Sequence, residues 1–273
     1  MPIDAVDFNY IRNLVREQSA IVLDDHKEYL VEARLAPLVR RQGCASISEL
    51  LRGLRDRPPN ELHRQVVEAM TTNETSFFRD RIPFEALKHD ILPELMEKRA
   101  GTRALNIWCS ACSNGQEPYS IAMLLQEHFP VLGTWDVHLL ATDLSIEVLE
   151  KAKQGRYSKI EVNRGLPITL LIKYFENEGL EWRIRQMIRQ RVAFRPLNLI
   201  ESWPHLPAMD IVFLRNVLIY FDVPTKRTIL RKIRQVLRPD GYLFLGTAET
   251  TMNLDEAYER VVIEKAACYQ LRS

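Results

Sequence analysis

Apolar residues recur at helical spacing in the first part of the chain: Phe8, Ile11, Leu14 and Val15, then Leu30, Ala33, Leu35 and Leu38, then Leu62, Val66, Val67 and Met70. Steps of three and four residues place each set on one face of a helix. Ser46-Ile47-Ser48-Glu49 and Asn60-Glu61 read as helix entries after breaks at Gly43 and Pro58-Pro59. No strand pattern interrupts these segments, so residues 1–70 are expected to form a small all-α domain.

From Arg103 the period changes. The runs ALNIWCS, DVHLLATD, VAFRPLN, MDIVFLRN and YLFLGTA alternate with helical segments around Pro118 to His128, Ser145 to Gln154 and Thr225 to Leu237. Near-continuous apolar strands separated by helices predict an α/β doubly wound parallel sheet covered on both faces. The end, ERVVIEKAACYQL, has no room for a crossover helix and predicts an antiparallel closing hairpin. Between about 165 and 192, EGLEWRIRQMI alternates apolar and charged residues as a half-exposed strand does, predicting a small inserted β subdomain. Such an insertion is either a partner surface or a decoration of the fold's edge. The expected division is therefore 1–70 and 71–273, in keeping with roughly 150 residues per domain.

Composition narrows the class. An apolar fraction of 46% with 27% charged residues is that of a globular chain with a substantial core. The apolar runs, the longest around Asp210 to Phe221, fall short of the roughly 18 residues a membrane span needs. The start, MPIDAVDFNYIRNLVREQ, lacks the basic end and apolar block of a signal peptide, so a cytoplasmic location without membrane insertion is expected. Four scattered cysteines, Cys44, Cys109, Cys112 and Cys268, make no disulfide framework, and Cys109-x-x-Cys112 has no second ligand pair, so no metal site is expected. A net charge of +1 gives no reason to expect nucleic acid. Locally, Arg34, Arg40, Arg41, Arg52, Arg55, Arg57 and Arg64 outnumber Glu49, Asp56 and Glu61, which gives a basic helical face that is either solvated or a docking surface.

Ligands of a doubly wound sheet lie beyond the carboxyl ends of its strands. After ALNIW comes a turn of small residues, Cys109-Ser110-Ala111-Cys112-Ser113-Asn114-Gly115, running into Gln116-Glu117-Pro118, where a helix opens. It has neither G-x-G-x-x-G nor Walker A spacing, which disfavours a pyrophosphate. An uncharged loop followed by Glu117 suits a ligand with a positive centre and no phosphate, such as S-adenosylmethionine. Glu117 alternatively stabilises the first turn of its helix. Asp143 ends the second strand, where an acid takes ribose hydroxyls, or else caps the helix that Ser145 could cap itself. Asn198 and Asn216 end two further strands and could both read a ligand in the same crevice, although a lone strand-end asparagine is commonly a turn former.

The stretch Thr71-Thr72-Asn73-Glu74-Thr75-Ser76-Phe77-Phe78-Arg79-Asp80 joins the two regions. Thr71 and Glu74 stand at capping-box spacing, which accounts for a threonine or two but not for Asn73, Thr75 and Arg79 around the aromatics. Together TTNETSFFRD, SNGQEPYS, ATDLSIEVLEKAKQGRY and FLRNVLIYFD resemble the CheR family of chemoreceptor glutamate O-methyltransferases, in the family's order from about Thr71 to Gly246. The resemblance implies an S-adenosylmethionine-dependent methyltransferase sheet with a small β subdomain and an all-α N-terminal domain. It implies cofactor contacts by Asn73, Thr75, Arg79, Glu117, Asp143, Asn198, Leu199, Arg215 and Asn216, with Arg79 and Tyr220 closest to the methyl transfer.

By the same resemblance, the expected reaction moves a methyl group from S-adenosylmethionine to glutamate side chains in the cytoplasmic signalling domain of methyl-accepting chemoreceptors. The products are methyl esters and S-adenosylhomocysteine, the setting is chemotaxis adaptation, and a monomer is expected. The family's receptor-tethering members hold a C-terminal pentapeptide through a longer glycine-containing loop than the turn at Asn177-Glu178-Gly179, so no pentapeptide is expected to bind here. A methyltransferase for small molecules or nucleic acid would leave the N-terminal module unexplained, and the amino-methylating N-P-P-Y is absent because Val217-Leu218-Ile219-Tyr220 follow Asn216. The alternative of a different class is a cofactor sensor or scaffold in a related signalling pathway, against which intact Arg79 and Tyr220 argue.

Overall fold

The computed structural model describes residues 3–55, 57–263 and 265–272; Asp56, counted above in the charge balance, lies outside them. The chain divides into two compact units, Met1–Thr72 with Tyr220–Thr225, and Asn73–Ile219 with Lys226–Ser273.

The first unit is helical, with helices at Ala5–Ser19, Glu28–Arg41, Ile47–Arg55 and Glu61–Ala69. Asp4 caps the first by accepting from the Asp7 N–H, and the Asn60 side chain caps the fourth by accepting from Leu62 and His63. Phe8, Ile11, Leu14 and Val15 form the buried stripe of the first helix, as their spacing predicts. The second helix is turned relative to expectation: its buried stripe is Val31, Leu35, Leu38 and Val39, while Leu30 is half-buried and Ala33 exposed. The steps 31, 35, 38 give a wider continuous apolar face than 30, 33, 35 do, and burial follows the larger face. Tyr220–Thr225 joins this unit through an antiparallel bridge between Ile21 and Phe221 and a 3.0 Å bond from the Val22 N–H to the Tyr220 carbonyl.

The second unit carries seven strands in one sheet: β1 (Ala104–Ser110), β2 (Asp136–Asp143), β6 (Val192–Pro196), β7 (Met209–Leu214), β8 (Leu237–Leu245), β9 (Tyr258–Ile263) and β10 (Ala266–Leu271). A second, three-stranded sheet is made by β3 (Arg156–Ser158), β4 (Phe175–Glu178) and β5 (Glu181–Ile184). The large sheet has the order β6-β2-β1-β7-β8-β10-β9. Its first five positions are parallel, and β10 runs antiparallel to both β8 and β9, as the closing hairpin predicts. Chain order reverses between β1 and β7, which makes that crevice the ligand-binding position.

The small sheet begins earlier than the alternating segment suggested, because β3 comes from Arg156–Ser158 and residues Ile168–Tyr174 are helical. EGLEWRIRQMI is a hairpin strand and a helical turn rather than one strand. Its turn is tight: Gly179 has φ +79°, and its N–H donates to Asn177 Oδ1 at 2.9 Å. Thr71 opens no helix; residues 72–76 belong to no helix or strand, and the next helix starts at Ile82. Phe77 explains that outcome, since its fully buried ring meets Tyr157 and Phe175 edge-on at 5.0 and 5.6 Å, and this packing overrides local capping.

Candidate active site

The loop after β1 reverses direction over few residues, and the backbone is left-handed at Ala111 (φ +53°), Ser113 (φ +51°) and Gly115 (φ +86°). Such a conformation costs roughly 1–3 kcal/mol at a residue with a side chain and persists only where surroundings hold it. Here Cys112 N–H donates to the Thr142 carbonyl (2.9 Å) and Ser113 N–H to Asp143 Oδ2 (2.8 Å). Tyr157 Oη donates to the Asn114 carbonyl (2.7 Å). Gly115 is required by more than its φ, because a Cβ there would lie 2.9 Å from Ala152 Cβ. Cys109 and Cys112 are buried, and burial pushes both thiols up, which keeps them protonated and unreactive.

Asp143, 7% exposed, serves this loop with both carboxylate oxygens: Oδ2 takes the Ser113 N–H and Oδ1 the Ser145 N–H at 3.0 Å. Ser145 itself caps the following helix by accepting from Val148 N–H, so Asp143 is not the cap.

Glu117 and Arg215 bridge β1 and β7. Glu117 Oε2 lies 2.8 Å from Arg215 Nη1, and the other terminal nitrogen, Nη2, donates to the Arg79 carbonyl (3.0 Å) and Asp80 Oδ2 (2.5 Å). Burial raises the Glu117 pKa, opposed chiefly by the Arg215 guanidinium. One arginine thus ties the end of β7 to the first turn after β1 and to the segment 73–80. Ser113 Oγ adds a bond to the Asn73 carbonyl (3.0 Å), and Arg79 Nη1 donates to the Glu74 carbonyl (2.9 Å). Thr75 is half-buried in the same irregular stretch.

Asn216 follows Arg215 with φ +59°, and its N–H donates to Glu249 Oε2 (2.7 Å). Asn198 closes its own turn, its Oδ1 accepting from Ile200 N–H and its Nδ2 donating to Glu201 Oε1. Leu199 is buried, and its carbonyl accepts from Lys232 Nζ at 3.0 Å. Three bonded sets therefore stand at the carboxyl ends of β1, β2 and β7: Asn73 and Asp143 meet through Ser113, Arg79 and Glu117 through Arg215, and Asn216 is held by Glu249. Asn198 and Leu199 stand beyond β6, and the half-buried Tyr220 is counted with the helical unit.

Three buried polar atoms at these strand ends have no protein partner: Ser110 Oγ, Gln116 Oε1 and Arg215 Nε. Buried polar atoms are rarely left unpaired, so their presence around a loop without a phosphate cradle fits a nucleoside ligand with an amino-acid tail. Asp143 and Glu117 are both acids at strand ends, the group type that accepts ribose hydroxyls or balances a positive centre. Next to these bonded sets a cavity of about 1070 Å³ is lined in part by Asp80, Arg215, Gly246, Glu249, Thr250 and Tyr269. Asp80, Ser113, Glu249 and Lys232 escape sequence reading because each acts on backbone or on another side chain; only Glu249, an acid just past a buried strand and a glycine, leaves a readable signal. Among the described residues no group of three or more histidine, cysteine or acidic side chains could hold a metal ion.

The strand order, the antiparallel last hairpin and the strand-end acids define a doubly wound domain with a crevice suited to a nucleoside ligand, and the family matches make it an S-adenosylmethionine-dependent methyltransferase. The CheR methyltransferase S-adenosylmethionine-binding domain matches residues 73–267, and the CheR methyltransferase all-alpha domain matches residues 6–71. Chemotaxis protein methyltransferase Cher2 of Pseudomonas putida is 42% identical over 271 residues, covering 98% of each chain. Chemotaxis protein methyltransferase 1 of Pseudomonas aeruginosa is 43% identical over 270 residues, 97% of this chain and 98% of that one. The Escherichia coli chemotaxis protein methyltransferase is 36% identical over 92% of this chain and 86% of its own length. The chain belongs to the CheR methyltransferase family and is an S-adenosylmethionine-dependent methyltransferase of chemotaxis.

Proposed function

We infer that the protein methylates glutamate side chains in the cytoplasmic signalling domain of methyl-accepting chemoreceptors, working as a monomer in the cytoplasm. The observation that carries the reading is the Arg215 junction, which gathers Glu117, Asp80 and the Arg79 carbonyl at the carboxyl end of β7. No helix among the described residues is long and apolar enough to cross a membrane.

Asn73, Thr75, Glu117, Asp143, Asn198, Leu199, Arg215 and Asn216 would hold S-adenosylmethionine, with Asp143 at the ribose and Glu117 toward the positively charged end. The bound cofactor supplies an electrophilic methyl group on a sulfonium. An acceptor glutamate has an ordinary pKa of about 4.3, so it arrives ionised and needs no general base. The work left to the protein is alignment, which can contribute about 7–11 kcal/mol. Arg79 and the Tyr220 hydroxyl orient the carboxylate without exchanging a proton; carboxylate and sulfonium neutralise each other in the transfer, so a water-exposed pocket would favour the reactants.

Docking uses the basic helical face. Arg55 is committed to buried Asp7 and lies over the Tyr10 ring, Arg64 is paired with Glu61 and Glu68, and Arg34 bonds the Met70 carbonyl and Thr72. The docking charge therefore rests on exposed Arg40, Arg52 and Arg57. The two-residue turn of the β4–β5 hairpin supports a protein that acts without a receptor pentapeptide.

The test is transfer of radiolabelled methyl into a receptor signalling fragment, followed by mild base. Label released as methanol supports the reading, because carboxyl esters hydrolyse where methylated amines do not. Stable label, or none, sinks it.

A further inference from the structure

We propose that Glu249 is a positioning residue of the methyl-transfer site, a carboxylate clamp that fixes the backbone after β7 in the conformation that presents Asn216. The proposal rests on the reading of Asn216 as a cofactor contact.

Glu249 is 8% exposed, and its two oxygens accept four backbone N–H groups. Oε2 takes those of Asn216 (2.7 Å) and Gly246 (2.6 Å), and Oε1 takes those of Val217 (2.8 Å) and Ile219 (3.3 Å). A buried carboxylate is costly unless hydrogen-bonded, and here four peptide donors supply those bonds. The clamp joins two strand ends: Gly246 follows β8, and Asn216 to Ile219 follow β7. A 2.9 Å bond from the Glu249 N–H to the Gly246 carbonyl closes the turn that returns the side chain to its place.

The geometry it holds at Asn216 is one that asparagine tolerates better than most residues with a side chain. Its φ of +59° is left-handed, and Gly246 leaves it room, since a Cβ on Gly246 would lie 2.6 Å from Asn216 Nδ2 and 2.8 Å from Asn216 N. Glu249 also acts electrically on the site, because its charge raises the pKa of Glu117. It lines the cavity beside Arg215 as well.

Glutamine at this position keeps the shape but turns one acceptor into a donor that faces two N–H groups. Glu249→Gln should therefore raise the cofactor KM about tenfold or more while kcat falls less than threefold, and should speed amide exchange at residues 216–219 and 246. A role confined to stability would lower the melting temperature and leave KM of the folded enzyme unchanged. Gly246→Ala, which keeps the carboxylate and displaces the Asn216 amide, should raise KM similarly and covers the case in which Glu249→Gln does not fold. Wild-type KM in both variants, or wild-type amide exchange in Glu249→Gln, overturns the clamp. Asn216→Ala separates the two readings: unchanged S-adenosylhomocysteine affinity in calorimetry rejects Asn216 as a contact, whereas lost affinity there with intact Glu249→Gln rejects Glu249 alone.

Discussion

Arg215 Nη1 sits 2.8 Å from Glu117 Oε2, and the arginine side chain is 2% exposed, so the pair is removed from water and screened little by salt. Because burial raises the Glu117 pKa, the carboxyl takes up its proton at a higher pH than an exposed glutamate does. Protonation removes the charge proposed to face the cofactor's positive end. Affinity for S-adenosylmethionine should accordingly be full where Glu117 is ionised and fall on acidification, beginning above the ordinary carboxylate range. Calorimetric titration across pH checks this, and Glu117→Gln should bind weakly and lose that limb.

Asp143→Asn isolates the ribose site. A hydrogen bond to a charged group contributes about 1.5–3 kcal/mol, so cofactor KM should rise roughly 10- to 150-fold. The change also leaves one oxygen where two now receive Ser113 and Ser145 N–H, so the melting temperature should drop with it. An unchanged KM with a lowered melting temperature would confine Asp143 to holding the loop.

Much of this was legible in the sequence. ALNIWCS and DVHLLATD coincide with β1 and β2 residue for residue, because buried parallel strands are read from apolar runs bounded by turn residues. The small sheet was legible only in part, since RYS at Arg156–Ser158 is too short to show a period and pairs with β5 across a helical stretch. Asp143, Glu117 and Asn216 stand at strand ends as their sequence positions predict, but chain separation hid their partners. Glu249 lies 33 residues from Asn216 and Asp80 lies 135 from Arg215, and no local pattern encodes such a meeting.

Arg79→Ala and Tyr220→Phe test alignment at the reacting end. Each should lower kcat at saturating cofactor by about 10-fold or more, since misplacement of reacting groups by about 1 Å can cost 10²-fold. The pH profile of kcat should keep its shape in Tyr220→Phe, because the hydroxyl orients and does not transfer a proton. Steady-state methylation of a receptor fragment reads both quantities, and full turnover in both variants rejects the assignment.

Gly165→Ala should disturb the site through the small sheet. Gly165 has φ +89°, and a Cβ on it would lie 2.1 Å from the Phe77 carbonyl, so the alanine is both strained and blocked by backbone. Phe77 must then leave its place between Tyr157 and Phe175, carrying Thr75 and Arg79 with it. A stability loss of about 3 kcal/mol is expected, comparable with partial loss of a buried aromatic, together with a raised cofactor KM in the fraction that folds.

Arg99→Met provides the contrast at the opposite end of the sheet. Arg99 Nε meets Asp210 Oδ1 at 2.7 Å, and its terminal nitrogens meet Asp240 at 2.7 and 3.0 Å. Asp210 is fully buried and also accepts the Asn106 N–H at 2.8 Å, at the start of β7 rather than its functional end. Removing one partner of a buried pair costs about 3–5 kcal/mol because the other charge stays behind, and the nearby Arg238 Nε at 3.1 Å should hold the loss near the lower figure. The Arg99 guanidinium keeps the Asp240 carboxyl below its ordinary value, so that part of the stability is present above the usual carboxylate range and lost as pH falls through the depressed value. Chemical denaturation should therefore show a loss of about 3 kcal/mol at neutral pH and a smaller difference from wild type in acid. Cofactor KM and kcat below the melting transition should be those of the wild type, since the carboxyl ends of the strands, where the methyl transfer is assigned, are untouched.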